Sequence, residues 1–100
     1  MKVAWSPLAA RQAQAAVAYI AGDRPDTAVE WLEELLERVA LLELFEELGR
    51  VVPEIGLPAY REIPHKPYRI IYRVDASRVV ILTLRHMRQD WDAVDVSNDV

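Results

Sequence analysis

The side chains with the clearest capacity for chemistry are arginines in the second half of the chain, Arg61, Arg69, Arg73, Arg85 and Arg88. Two of them fall inside the run Tyr68-Arg69-Ile70-Ile71-Tyr72-Arg73-Val74. In an extended chain, alternation sends Tyr68, Ile70, Tyr72 and Val74 to one face and Arg69, Ile71 and Arg73 to the other. In the run that follows, Val80, Leu82 and Leu84 form the more apolar set, which leaves Val79, Ile81, Thr83 and Arg85 to partner the arginine face. An open sheet face carrying Arg69, Arg73 and Arg85, with Arg61 from a neighbouring strand, would bind anions, because guanidinium groups present several donors and a permanent charge. The plainer alternative is that these arginines keep a sheet soluble or pair with acids of the helices.

His86 and Arg88 share the parity of Leu84, so a regular strand places His86 on the face opposite Arg69, and only a bulge or the end of the strand could unite them. Histidine titrates near neutrality and could serve as an acid, although at the end of an apolar strand it more often packs and hydrogen-bonds. Other chemistries have little support. His65 and His86 lie in different segments without metal-ligand spacing, no glycine-rich phosphate loop is present, and Ser6, Ser77 and Ser97 sit in no nucleophile motif. No metal, cofactor or small-molecule substrate is expected. The tryptophans at 5, 31 and 91 read as core or interface anchors.

Positioning these residues requires a short strand over Lys2–Trp5, and then a helix that Ser6 caps and Pro7 opens. Its buried stripe is Ala9, Ala13, Ala16, Val17 and Ile20, and it ends at Gly22. Asp23 to Asp26, with Pro25, breaks the chain, and a second helix runs from about 26 to about 48. Val29, Leu32, Leu35, Leu36, Val39, Leu42 and Phe45 form its apolar stripe, with Glu30, Glu33, Glu34, Glu37 and Glu43 on the solvated side. Gly49 stops it. After an irregular loop marked by Pro53, Gly56 and Pro58, three antiparallel strands follow at Tyr60–Ile63, Pro67–Val74 and Arg78–Arg85. The sum is an α+β fold, β-α-α-β-β-β, with a helical hairpin on a C-terminal antiparallel sheet and a loosely ordered tail over 91–100.

One hundred residues fit one domain with one core, and 52% hydrophobic against 28% charged residues argues against disorder. The absence of cysteine removes disulfides and thiolate sites, which suits a reducing cytoplasm. Arg11, Gln12 and Gln14 interrupt the apolar N-terminal stretch, so neither a secretory signal nor a membrane span is expected. The net charge of −4 is uneven. Residues 1–57 hold five Lys/Arg against ten Asp/Glu, whereas residues 58–90 hold seven against three. Any anion-attracting surface therefore belongs to the sheet half.

This order of elements, together with GRVVPE at 49–54, YREI at 60–63, YRIIYRV at 68–74 and VVILTLRHMRQ at 79–89, resembles the RelE/ParE toxins of type II toxin-antitoxin modules from Val3 to Trp91. The resemblance implies a cytoplasmic toxin neutralised by a cognate antitoxin that lays an extended or helical segment over it. Two activities exist in the superfamily. RelE-like members are ribosome-dependent mRNA endonucleases, and in that branch Arg69, His86, Arg88 and Arg61 would be the catalytic set, with Glu54 or Glu62 offering a base. ParE-like members keep the scaffold without that chemistry and poison DNA gyrase. Lys66 is the only lysine after Lys2, no tyrosine follows Tyr72, and the chain is acidic, so the lysine cluster and aromatic acid of the nucleases are missing. The His-Met-Arg ending of the last strand is similar to the ParE and plasmid-stabilisation branch. The expected function is thus a gyrase inhibitor, with Arg61, Arg69, Arg73, Arg85 and Arg88 as the target-binding surface. An mRNA endonuclease is the alternative, and a non-toxic binding module on the same scaffold a second one.

Overall fold

The computed structural model describes residues 1–89. Strand β1 (Lys2–Trp5) leads into helix α1 (Pro7–Ala21), a short turn and helix α2 (Pro25–Leu41). The strands β2 (Arg50–Val51), β3 (Tyr60–His65), β4 (Tyr68–Val74) and β5 (Arg78–His86) follow. Ser6 caps α1 as its sequence suggests, its Oγ accepting from the Ala9 amide at 3.0 Å and donating to the Leu82 carbonyl at 2.7 Å.

The strands form one five-stranded sheet in the order β1-β5-β4-β3-β2. The meander β3-β4-β5 is antiparallel as expected, but β1 joins it in parallel beside β5 and the two-residue β2 adds a further edge, so the sheet is mixed. Beyond Trp5 the edge of β5 is capped from α1, where Gln12 Oε1 accepts from the Leu84 amide at 2.7 Å and from the Thr83 hydroxyl at 3.0 Å.

The second helix is shorter than its apolar pattern suggests. It ends at Leu41, and the chain goes on through turns to Gly49. Its buried face is Ala28, Trp31, Leu35 and Val39, continued by Leu42, while Val29, Leu36 and Phe45, assigned to the buried stripe by sequence, are exposed. Seven apolar positions make a wider arc than one sheet-facing stripe can bury, and Trp31 claims the centre of the contact. Gly49 does not stop the helix. A Cβ there would lie 2.4 Å from the Glu62 carbonyl oxygen and 2.8 Å from the Tyr72 hydroxyl, so its smallness lets the chain pass against β3.

The sheet is buried on both faces. On the helix side, Ala9, Ala13 and Ala16 of α1 and Trp31, Leu35 and Val39 of α2 pack on Ile63, Ile70, Tyr72, Val79, Ile81 and Leu84. On the other, Val52, Ile71, Val80 and Leu82 form a small second core covered by Ile55 and Tyr60 of the chain running from β2 to β3. This corrects the expected open face, and it reverses part of the parity of β5. Ile71 pairs with Thr83 but Tyr72 pairs with Ile81, which leaves Leu82 as an extra residue. Such a bulge flips the pattern, so Val79 and Ile81 face the helices and Val80 and Leu82 face away. The tail over 91–100, expected to be loose, lies outside the described residues.

Candidate functional site

Residues directly opposite each other in a sheet share a face. Arg69 lies across from Pro64 and Arg85, and Arg73 across from Tyr60 and Val80, so Arg69, Arg73 and Arg85 do share the face away from the helices. Arg61 does not join them. It pairs with Tyr72, on the helix side, and its guanidinium donates to the carbonyls of Gly49 and Pro58, both at 3.0 Å. Arg73 Nη2 stands 4.0 Å from Asp75. Asp75 itself accepts from the Ser77 and Arg78 amides at 3.0 Å and is held below the usual carboxylate range by those bonds.

Arg69 is the centre of the charged cluster. Its Nη1 and Nη2 donate to the two oxygens of Glu54 at 2.7 and 2.6 Å, while its Nε donates to Glu62 Oε2 at 3.0 Å and its Nη2 also reaches Glu62 Oε1. Glu62, 6% exposed at its side chain, also accepts from Arg50 across the β2–β3 pair at 3.2 Å. Two acids thus bracket one guanidinium in a forked geometry that suits carboxylates. The hydrogen bond from Arg69 holds the Glu54 carboxyl below the usual range, and the two glutamates, Glu54 first, push the Arg69 guanidinium still further above its own. In this arrangement Glu54 and Glu62, each considered from sequence as a base, act as partners of Arg69.

His86 lies on the other face. It stands opposite Tyr68, with ring centroids 5.7 Å apart, and Tyr68 meets Trp31 at 5.9 Å, which in turn meets His65 at 4.9 Å. His86 Nδ1 accepts from the Arg88 amide at 3.1 Å, which places Arg88 just past the strand, exposed. His65 is buried, its Nε2 2.9 Å from the Trp31 carbonyl. The sheet therefore separates Arg69 from His86, as regular alternation from Thr83 onward requires, the bulge lying earlier in β5.

Beside the charged cluster an open groove of about 890 Å³ runs between the end of α2 and the edge of β3. Leu41, Leu48, Ile63 and Met87 supply its apolar lining, Arg38, Arg50 and Arg69 its cations and Glu54 and Glu62 its acids, so the charged cluster forms part of its wall; Arg38 donates to the Pro64 carbonyl at 2.7 Å. From sequence, the resemblance implied an antitoxin groove on exposed apolar parts of the helical hairpin and the sheet edge, but none of the apolar lining residues was named as a site residue. The signal available was the excess of leucines over 41–48, more than a buried stripe needs. Among the described residues no group of three or more His, Asp or Glu side chains is arranged around a metal position.

The profile of the ParE toxin of the type II toxin-antitoxin system parDE matches residues 3–91. The chain belongs to the ParE toxin family. A solved structure described as the chromosomal ParDE TA system from P. aeruginosa is similar in fold, with a TM-score of 0.72 over 86% of this chain and 95% of that one at 21% identity. No curated protein matches the sequence. Family membership accounts for the order of elements: the ParE match runs from β1 to just past β5 and so includes both the arginine cluster and the groove. None of the helices described in this ParE-family chain is long and apolar enough to cross a membrane.

Proposed function

We propose that the chain is the toxin of a parDE-type module, a growth inhibitor that acts on DNA gyrase and is silenced by a cognate antitoxin. The observation that carries the choice of target is the separation of Arg69 from His86 by the sheet, with Glu54 and Glu62 both engaged by Arg69. Phosphodiester cleavage needs an acid, a base and a cation within reach of one phosphate. A gyrase poison needs only a binding surface, for which Arg73, Arg85 and Arg88 with the paired Arg69 are the candidates on the sheet half, and Arg61 at its margin. The groove between α2 and β3 gives the antitoxin an apolar floor and a sheet edge.

Purified toxin added to gyrase and supercoiled plasmid is expected to block supercoiling or to trap the cleaved complex, and co-expressed antitoxin to abolish the effect. Intact gyrase activity together with new mRNA 5′ ends at ribosomal A sites after induction would overturn this in favour of the endonuclease. Growth unaffected by the toxin alone would favour a binding module.

A further inference from the structure

The fold supports the two carboxylates on Arg69 unequally. Glu62 belongs to β3, is buried and is shared with Arg50. Glu54 is a third exposed and projects from the connection between β2 and β3, in a turn closed on itself. There the Ile55 and Gly56 amides donate to the Val52 carbonyl at 3.1 and 2.8 Å and the Tyr60 amide to the Leu57 carbonyl at 3.0 Å, with Gly56 at a φ of 72° making the bend. Among the described residues, the side-chain hydrogen bonds that tie 53–57 to the sheet are the two from Arg69 to Glu54.

The site that Glu54 fills does not need Glu54 to form it. Glu62 fixes Arg69 through Nε and Nη2, which leaves the two terminal nitrogens presented as a parallel fork of the kind that matches a carboxylate. The Arg69 hydrogen bonds first, and more weakly the Arg50 charge, favour an ionised carboxyl at that position. With Glu54 in place two acids balance two cations, and with Glu54 withdrawn one positive charge is left. An exposed pair contributes about 1 kcal/mol or less, so exchanging one carboxylate for another costs little. Glu54 is tethered, however, and acts at an effective concentration of about millimolar order. A free carboxylate competes poorly against that, whereas one delivered by a protein already bound nearby competes well.

We infer that Glu54 is a displaceable latch: a carboxylate of a partner protein takes its place on Arg69 and frees the 53–57 turn from the sheet. The inference deepens the reading of Arg69 as part of the binding surface. Its test uses neither gyrase nor antitoxin, so either reading can fail without the other.

Hydrogen exchange of the full-length protein is followed with tetraglutamate in excess over the about millimolar latch concentration, at ionic strength matched with sodium chloride. A ligand ordinarily slows exchange where it binds, but here the Ile55 and Gly56 amides exchange faster while those of β4 and β5 are unchanged. In Glu54→Gln the same two amides exchange fast from the outset, and the peptide accelerates them no further. Titration followed at the Arg69 Nε–H resonance shows Glu54→Gln binding the peptide about fivefold more tightly than wild type, which is ~1 kcal/mol. Glu30→Gln removes the same charge from an exposed site on α2 and stays within about twofold of wild type. Pyrophosphate, added under the same conditions, releases the turn less than the peptide does. Three results would overturn the proposal. They are Ile55 and Gly56 amides slowed or left unchanged by the peptide, equal gains in Glu54→Gln and Glu30→Gln, which would mean bulk charge, and pyrophosphate releasing the turn as well as the peptide, which would assign the fork to phosphate.

Discussion

Arg69 binds two carboxylates that differ in setting, and their loss should differ accordingly. Glu62 is buried and holds both Arg69 and Arg50, whereas Glu54 is a third exposed. Breaking a buried pair strands a charge, so Glu62→Ala should cost about 3 kcal/mol in urea unfolding. Glu54→Gln should cost about 1 kcal/mol or less, because solvent screens an exposed partner. Equal costs would show that the cluster is not organised by burial. The sign of the pH effect follows from the same bond. The folded state holds Glu54 below its ordinary value of 4.5, so its contribution is complete above that pH and fades as the pH falls through the depressed folded value. The stability gap between wild type and Glu54→Gln should therefore narrow below about pH 4.5. A gap that stays constant from pH 6 to pH 3 would remove Arg69 as its cause.

At the scale of elements, the passage from α2 to the sheet depends on one contact that no sequence pattern announces. The Tyr72 hydroxyl accepts from the Gly49 amide at 2.9 Å and donates to the Glu46 carbonyl at 2.8 Å, which fixes the 42–49 connection onto β4. Tyr72→Phe leaves a buried amide unpartnered and should cost about 1–3 kcal/mol, and Gly49→Ala, which sets a Cβ against the Glu62 backbone, about 3 kcal/mol. Thermal or urea unfolding of both variants checks this, and wild-type stability in Gly49→Ala would mean that the close approach relaxes freely. Burial also raises the Tyr72 phenol above its ordinary value of 10, so this term is intact below pH 10 and is lost as the pH climbs through the folded value. The same elements show how far sequence reaches. Ser6-Pro7, the alanine stripe of α1 and the aromatic and β-branched runs of β3 to β5 carry local signals strong enough to fix element type and order. The end of α2 was not legible, because leucines at 41–48 extend the helical pattern while the path of the chain there is fixed by Tyr72, far away in sequence. Nor was the bulge at Leu82, since parity is read one strand at a time and a register shift exists only between two. The Arg69–Glu62 pairing was half visible: alternation gave the arginine face, but not that glutamates rather than solvent would fill it.

For the whole molecule, the sheet separates two cores of unequal size. Ile70 and Ile71 are adjacent and fully buried, yet they enter different ones, Ile70 beneath the helices and Ile71 beneath Val52, Ile55 and Tyr60. Deleting either side chain loses similar transfer energy, but the cavity term differs with how well the surroundings can collapse. The helix-side core is held by two helices and the sheet, so Ile70→Ala should cost about 4 kcal/mol. The second core is roofed by a single irregular segment tied down by Glu54 at Arg69, and it can settle into the void, so Ile71→Ala should cost about 2 kcal/mol. Hydrogen exchange separates the two beyond their totals. Ile71→Ala should speed exchange at amides between 52 and 60 by more than the global change in stability requires, as a locally opening unit does, whereas Ile70→Ala should raise protected amides together. Uniform acceleration in both variants would mean that the roof and the helices unfold as one unit, and that the face bearing Arg69 is no more adaptable than the core behind it.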